Sequence, residues 1–153
     1  MTITSAVCNS FKQEILVAEH NFTASCDTPA GRAFKIALYT SSADLTTTST
    51  VYVTSGEVAS GGGYTTAGES LTNTGVAKST VTSYTDFSDV SWTSASFTAR
   101  GCLIYNSSTI SGLTSNAAVC SIDFGGDKTV SSGTFTIQFP ANDSSNAIIR
   151  ITS

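Results

Sequence analysis

Very little of this chain is charged. Seven basic and eleven acidic residues in 153 leave a net charge of −4 and a sequence pI near 4.6. Four lysines and three arginines do not make a phosphate-neutralising surface, which argues against nucleic acid as a partner. Long apolar runs are missing too. No stretch approaches the roughly 18 residues needed to cross a bilayer, so neither a membrane nor an integral membrane protein is expected. Met1 to Cys8 carries no basic, apolar leader pattern, so synthesis in a cytoplasm is expected. The three Asn-x-Ser/Thr triplets, at Asn21, Asn106 and Asn142, then read as by-products of composition rather than glycan acceptors.

Catalytic and metal-binding patterns are equally scarce. There is one histidine, His20, and any Ser-His-Asp or Cys-His arrangement would have to use it. It reads instead as a partly exposed residue at a helix end. G-x-S-x-G does not occur, and Gly61-Gly-Gly63 lacks the Lys-Ser or Lys-Thr of a phosphate cradle, reading as a flexible turn. Asp123-Phe-Gly125 has none of the motifs that accompany the kinase triplet, so Phe124 is expected in the core and Gly125-Gly126 in a turn. Asp86 with Asp89, or Asp123 with Asp127, falls short of the six to eight oxygens calcium takes. No closely spaced Cys pair suggests zinc. No metal, cofactor or catalytic residue is assigned, and an enzyme is not expected.

What the chain has in abundance is serine and threonine, 25 of each, beside 40% hydrophobic residues. This composition disfavours disorder and favours a compact β-rich domain with a neutral surface. Such a surface packs against other subunits without desolvating many charges, which suits an assembly component.

One helix is expected, from Ser10 to Phe22, with Phe11, Ile15, Ala18 and Phe22 on one face, Ser10 as N-cap and Gln13 as its capping-box partner. A strand over Ile15 to Ala18 is the competing reading. After Cys26 the period changes to two. Phe34, Ile36 and Leu38 mark a half-buried strand, and Val51 with Val53 another. Further strands are expected over Leu71–Lys78, Thr80–Phe87, Phe97–Tyr105, Ala117–Phe124, Thr134–Phe139 and Ala147–Thr152. About eight short strands predict an all-β, two-sheet antiparallel sandwich, jelly-roll-like in outline, with one short N-terminal helix. The domain is single and spans 11–153. Residues 1–10 are uncharged and are read as an N-terminal arm. Ile3, Val7, Phe11 and Trp92 are the candidate subunit contacts. Trp92 and the five tyrosines also present the alternative of a sugar-binding face.

Four cysteines allow three pairings. Cys8–Cys26 and Cys102–Cys120 are each local. Folding the chain about Ser111 puts Cys102 opposite Cys120, within reach of a disulfide. Each such loop would contribute on the order of 3 kcal/mol. Four reduced thiols in the core remain the other reading, because a cytoplasm keeps thiols reduced.

Several stretches resemble small tailed-phage virion proteins. They are Ser10-Phe-Lys-Gln-Glu-Ile-Leu-Val-Ala-Glu-His-Asn-Phe22, Phe34-Lys-Ile-Ala-Leu-Tyr-Thr-Ser-Ser42, Trp92-Thr-Ser, Ala99-Arg-Gly-Cys-Leu-Ile-Tyr-Asn106, Asp123-Phe-Gly-Gly-Asp-Lys128 and Phe135-Thr-Ile-Gln-Phe-Pro140. These are structural motifs without catalytic residues. The small β-rich members of that group are similar to capsid cement (decoration) proteins, which sit as trimers on the outer shell. The resemblance implies a virion location on the capsid surface, the major capsid protein and further copies of this chain as partners, and no cofactor. It also implies that disulfides could form late, after lysis. A tail or connector component, or a host-glycan-binding module, is the alternative assignment.

Overall fold

The computed structural model describes residues 1–23, 32–108 and 114–153. It is an all-β fold of two antiparallel sheets with one short helix, as the alternating pattern predicts. The elements run β1 (Ala6–Val7), α1 (Asn9–Leu16), β2 (Phe34–Tyr39), β3 (Glu69–Leu71), β4 (Asn73–Ser79), β5 (Thr82–Phe87), β6 (Val90–Asn106), β7 (Ala117–Ile137) and β8 (Ile149–Thr152). One sheet has the order β1-β7-β6-β2-β3 and the other β4-β5-β8.

The sequence reading of β2 as half-buried needs correction. Five of its six residues are buried, because it lies between β6 and β3 and the chain that follows folds over it. Val58 donates its N–H to the Leu38 carbonyl at 2.9 Å, and Leu45 and Val58 join the core. Val51 makes only an isolated bridge to Ala117, so no strand forms there. The two strands expected over Ala117–Phe124 and Thr134–Phe139 are one element, β7, paired along nearly its whole length with β6. Gly125-Gly126 and Ser131–Gly133 do not end strands. They sit in bulges: Ala99 faces Lys128 while Gly101 faces Asp123, so Phe124–Asp127 is looped out of the ladder.

The helix is shorter than its apolar spacing suggests. It begins after Cys8, which is extended and makes no side-chain cap, and the expected cap Ser10 lies inside the first turn with a buried hydroxyl that makes no hydrogen bond. Ala18, at φ 59°, turns the chain out of the helix. The reversal carries His20 and Phe22 back beneath the helix, so Phe11 and Phe22 still meet, with ring centroids 6.0 Å apart. Their spacing recorded a shared core, not a shared helix face.

Residues 1–10 do not extend away as an arm. Leu45 donates to the Thr2 carbonyl and Thr4 to the Leu45 carbonyl, both at 2.8 Å, and β1 pairs with β7. Ile3 is buried against Gly101, where an added Cβ would lie 2.9 Å from the Ile3 Cγ2. The glycine makes the room in which the N-terminal segment is seated.

Two aromatic clusters hold the layers together. Phe22 and Phe34 stack at 4.4 Å with Phe87 and Phe139 beyond them, and Trp92, Phe135, Phe97 and Tyr64 form the second group along the β6–β7 hairpin. Burying side chains of this size supplies about 1.5–3 kcal/mol each.

Candidate functional site

The structure places His20 and the carboxylates of Glu14, Glu19 and Asp86 inside the core and gives them internal partners. His20 is the first case. It is buried, not partly exposed: Ala18 folds it under α1, where Nε2 lies 2.8 Å from Glu14 Oε2 and Nδ1 lies 3.3 Å from Asn106 Nδ2. Its ring packs on Phe11 at 4.8 Å. Asn106, buried by the same network, also donates to the Glu19 carbonyl at 3.3 Å, and the Glu19 carboxylate accepts the Thr114 N–H at 2.6 Å. The imidazole bridges a carboxylate and an amide, and among the described residues no serine or cysteine nucleophile bonds to it.

Glu57 centres a second network. Its Oε1 accepts the Tyr64 hydroxyl and the Ala67 N–H, each at 2.7 Å, and its Oε2 accepts the Tyr52 hydroxyl at 2.6 Å. The Tyr64 oxygen in turn accepts the Leu38 N–H at 2.9 Å, tying this network to β2. Tyr105 stacks on Tyr52 at 4.7 Å and donates to the Ala67 carbonyl. Burial and the Glu57 charge push the Tyr105 phenol up to about 12. Of the aromatics that a sugar-binding face would use, Trp92, Tyr39, Tyr64 and Tyr105 are buried, and only Tyr52 and Tyr84 are half-exposed.

The paired carboxylates do not converge on a cation site. Asp86 is buried and accepts the N–H groups of Phe87 at 2.8 Å and Ile148 at 3.1 Å, and desolvation raises its pKa. Asp89 accepts the Phe139 N–H at 2.8 Å. Asp123 binds the Arg100 guanidinium through both oxygens, at 2.8 and 3.3 Å, and that pairing holds its carboxyl below the ordinary range. Among the described residues no group of three His, Cys, Asp or Glu side chains could hold a metal.

Cys8, Cys102 and Cys120 are buried free thiols, and Cys26 lies outside the described residues. The expected opposition of Cys102 and Cys120 is corrected by the register. Cys102 faces Ile122, and Ile104 faces Cys120. A bulge that leaves Val119 unmatched shifts the ladder away from a centre at Ser111. The two thiols sit on one face but diagonally, where Cα atoms stand about 7–8 Å apart, beyond the reach of an unstrained disulfide. Burial pushes the Cys8 thiol up to about 11 and the Cys120 thiol up to about 12.

The residues expected at subunit contacts are also internal. Ile3, Phe11 and Trp92 are core residues and Val7 is partly buried against the core, so they hold the chain's own layers together. The Gly61–Gly63 segment is not a loose turn. All three glycines have positive φ, Gly61 and Tyr64 exchange two hydrogen bonds, and the Gly62 carbonyl accepts the Ser96 N–H of β6 at 2.8 Å.

A few large apolar side chains stay outside the core. Leu16 is 84% exposed and Val17 62%, at the end of α1, and Val76 at 57% and Ile151 at 55% lie on β4 and β8. Ile15, Ile149 and Ile151 line two adjoining depressions, one reaching Leu16 and the other Val76. The two depressions share these three isoleucines and so connect the helix end to the small sheet, with Ser83 and Thr85 of β5 between Val76 and Ile151 and with Lys12 and Arg150 at the margin. Sequence periodicity missed this surface because Leu16 and Val17 fall off the predicted helix face, and Val76 and Ile151 alternate like ordinary strand residues. No protein-family model, no curated protein and no solved structure matches the chain.

Proposed function

We propose that this chain is a structural subunit of a tailed-phage virion, acting as a capsid cement protein that binds the outer shell and stabilises it as a trimer. The observation that carries the reading is the group of exposed apolar side chains at the helix end and on the small sheet, Leu16, Val17, Val76 and Ile151, on a chain whose sole histidine and described thiols are buried inside the fold. A patch of this kind marks a contact surface. Burying it against the major capsid protein or a second copy removes apolar area from water with few charges to desolvate. The stretches that resemble virion proteins support the same reading. The mechanism is adhesion between subunits, with hydrogen bonds from Ser/Thr-rich loops at the rim and no cofactor.

Light scattering after size exclusion, followed by co-sedimentation with shells of the phage that encodes the chain, tests this. A species of about three times the 15.8 kDa chain mass that sediments with shells is expected. Ile151→Asp, at an exposed position, should leave folding intact and abolish both. A strict monomer that does not sediment with shells overturns the reading.

A further inference from the structure

A second apolar feature lies away from the patch. The looped-out residues Phe124–Asp127 stand beside the later part of β7 and the segment that leads into β8, and a cleft of about 570 Å3 opens between them. Ile122, Phe124, Phe135, Ile137, Phe139 and Ile148 form its walls. Phe124 and Phe135 approach to 6.2 Å, which fixes one wall against the other. Lys128 is the single charged residue in the lining, beside the polar Thr136 and Gln138. The two ion pairs formed among the described residues, His20–Glu14 and Arg100–Asp123, do not involve Lys128, which is exposed.

We propose that this cleft binds an amphipathic anion, a molecule with an aliphatic tail and a carboxylate head, with the tail among the phenylalanines and isoleucines and the head on the Lys128 ammonium. The volume is that of a small-molecule site, and apolar walls with few polar groups are the usual chemistry of one. The charge selects the sign of the head group. The Lys128 ammonium repels a cationic head, whereas a carboxylate forms a charge-assisted hydrogen bond with it at the exposed rim of the cleft. The site does not depend on the assembly role proposed above, because none of its residues belongs to the Leu16–Ile151 patch.

Isothermal titration of the full chain with decanoate, and in parallel with decyltrimethylammonium, tests the assignment. One saturable decanoate per chain is expected, with the cation at least about tenfold weaker. Lys128→Gln, at an exposed position, should weaken decanoate about tenfold and erase the preference between the two probes. Ile137→Trp should block both by filling the cleft, and its thermal melt reports whether it is folded. Absence of saturable decanoate binding overturns the proposal, as does equal binding of the two probes or an unchanged affinity in Lys128→Gln. Protection of the cleft by a second copy, seen as dimerisation that Ile137→Trp abolishes, also overturns it.

Discussion

His20 and Glu14, six residues apart, meet through Nε2 and Oε2 at 2.8 Å inside the core. The contact exists because Ala18 reverses the chain at the end of α1, and Asn106 completes it from β6. An eight-residue helix without a side-chain cap is thereby tied to the main sheet by a polar bond as well as by Phe11. Removing the imidazole leaves a buried carboxylate without its partner and opens space beside Phe11, Phe22 and Phe34. His20→Ala should therefore cost about 3 kcal/mol in urea unfolding. A loss below about 1 kcal/mol would show that the pair is not a structural tie.

The Glu57 network makes a second prediction. The Tyr64 hydroxyl donates to Glu57 and accepts from Leu38 at once, so Tyr64→Phe strands the buried Leu38 N–H and leaves Glu57 Oε1 with the Ala67 N–H alone. The expected loss is about 1–3 kcal/mol. Tyr52→Phe removes one donor from the same carboxylate at a half-exposed position and should cost less. Equal losses in the two variants would contradict the role given to the Leu38 bond.

How much of this could be read beforehand follows from the range of each signal. Alternation over Phe34–Leu38 and over Phe135–Phe139 is local, and it located β2 and the last part of β7, which stops at Ile137 rather than Phe139. The joining of Ala117–Phe124 and Thr134–Phe139 into one strand is not local, because it depends on β6 tolerating a four-residue bulge opposite Ala99 and Gly101. The Cys102 register failed for the same reason, since one unmatched residue at Val119 moves every later partner. The surface patch was illegible because it joins Leu16 to Val76 and Ile151 across elements far apart in sequence. His20 was misplaced by the reversal at Ala18, which no proline or glycine announces.

Two glycines separate backbone necessity from tolerance. Gly68 has φ 66°, and a Cβ there would collide with the carbonyl oxygen of Ile36 and lie 2.6 Å from its carbon. Both atoms belong to the backbone of β2, an interior strand of the five-stranded sheet, and have nowhere to go. Gly68→Ala should yield insoluble or unfolded protein. Gly126, in the β7 bulge, has no heavy atom within 4 Å of an added Cβ and no positive φ. Gly126→Ala should express and melt like the parent, within about 0.5 kcal/mol. Soluble, cooperative unfolding of Gly68→Ala would refute the packing of that segment on β2.

Burial of the thiols and tyrosines sets the alkaline limit of the fold. Cys8 and Cys120 are raised from 9.0 to about 11 and about 12, and Tyr105 from 10.0 to about 12, in each case chiefly by desolvation. Each group holds its proton in the folded chain at a pH where the unfolded chain has lost it. The folded state then binds more protons, so the free energy of unfolding must fall as pH rises. The fall should begin near pH 9 with the thiols, steepen above 10 as Tyr105 joins, and continue to about 12. Urea midpoints measured from pH 8 to 11 should decline monotonically. Iodoacetamide at pH 8 should leave Cys8, Cys102 and Cys120 unmodified in the native chain and label all three in urea, as read by peptide mass. Rapid native labelling of any of the three would mean that its sulfur is not enclosed, and its share of the alkaline loss would disappear with it.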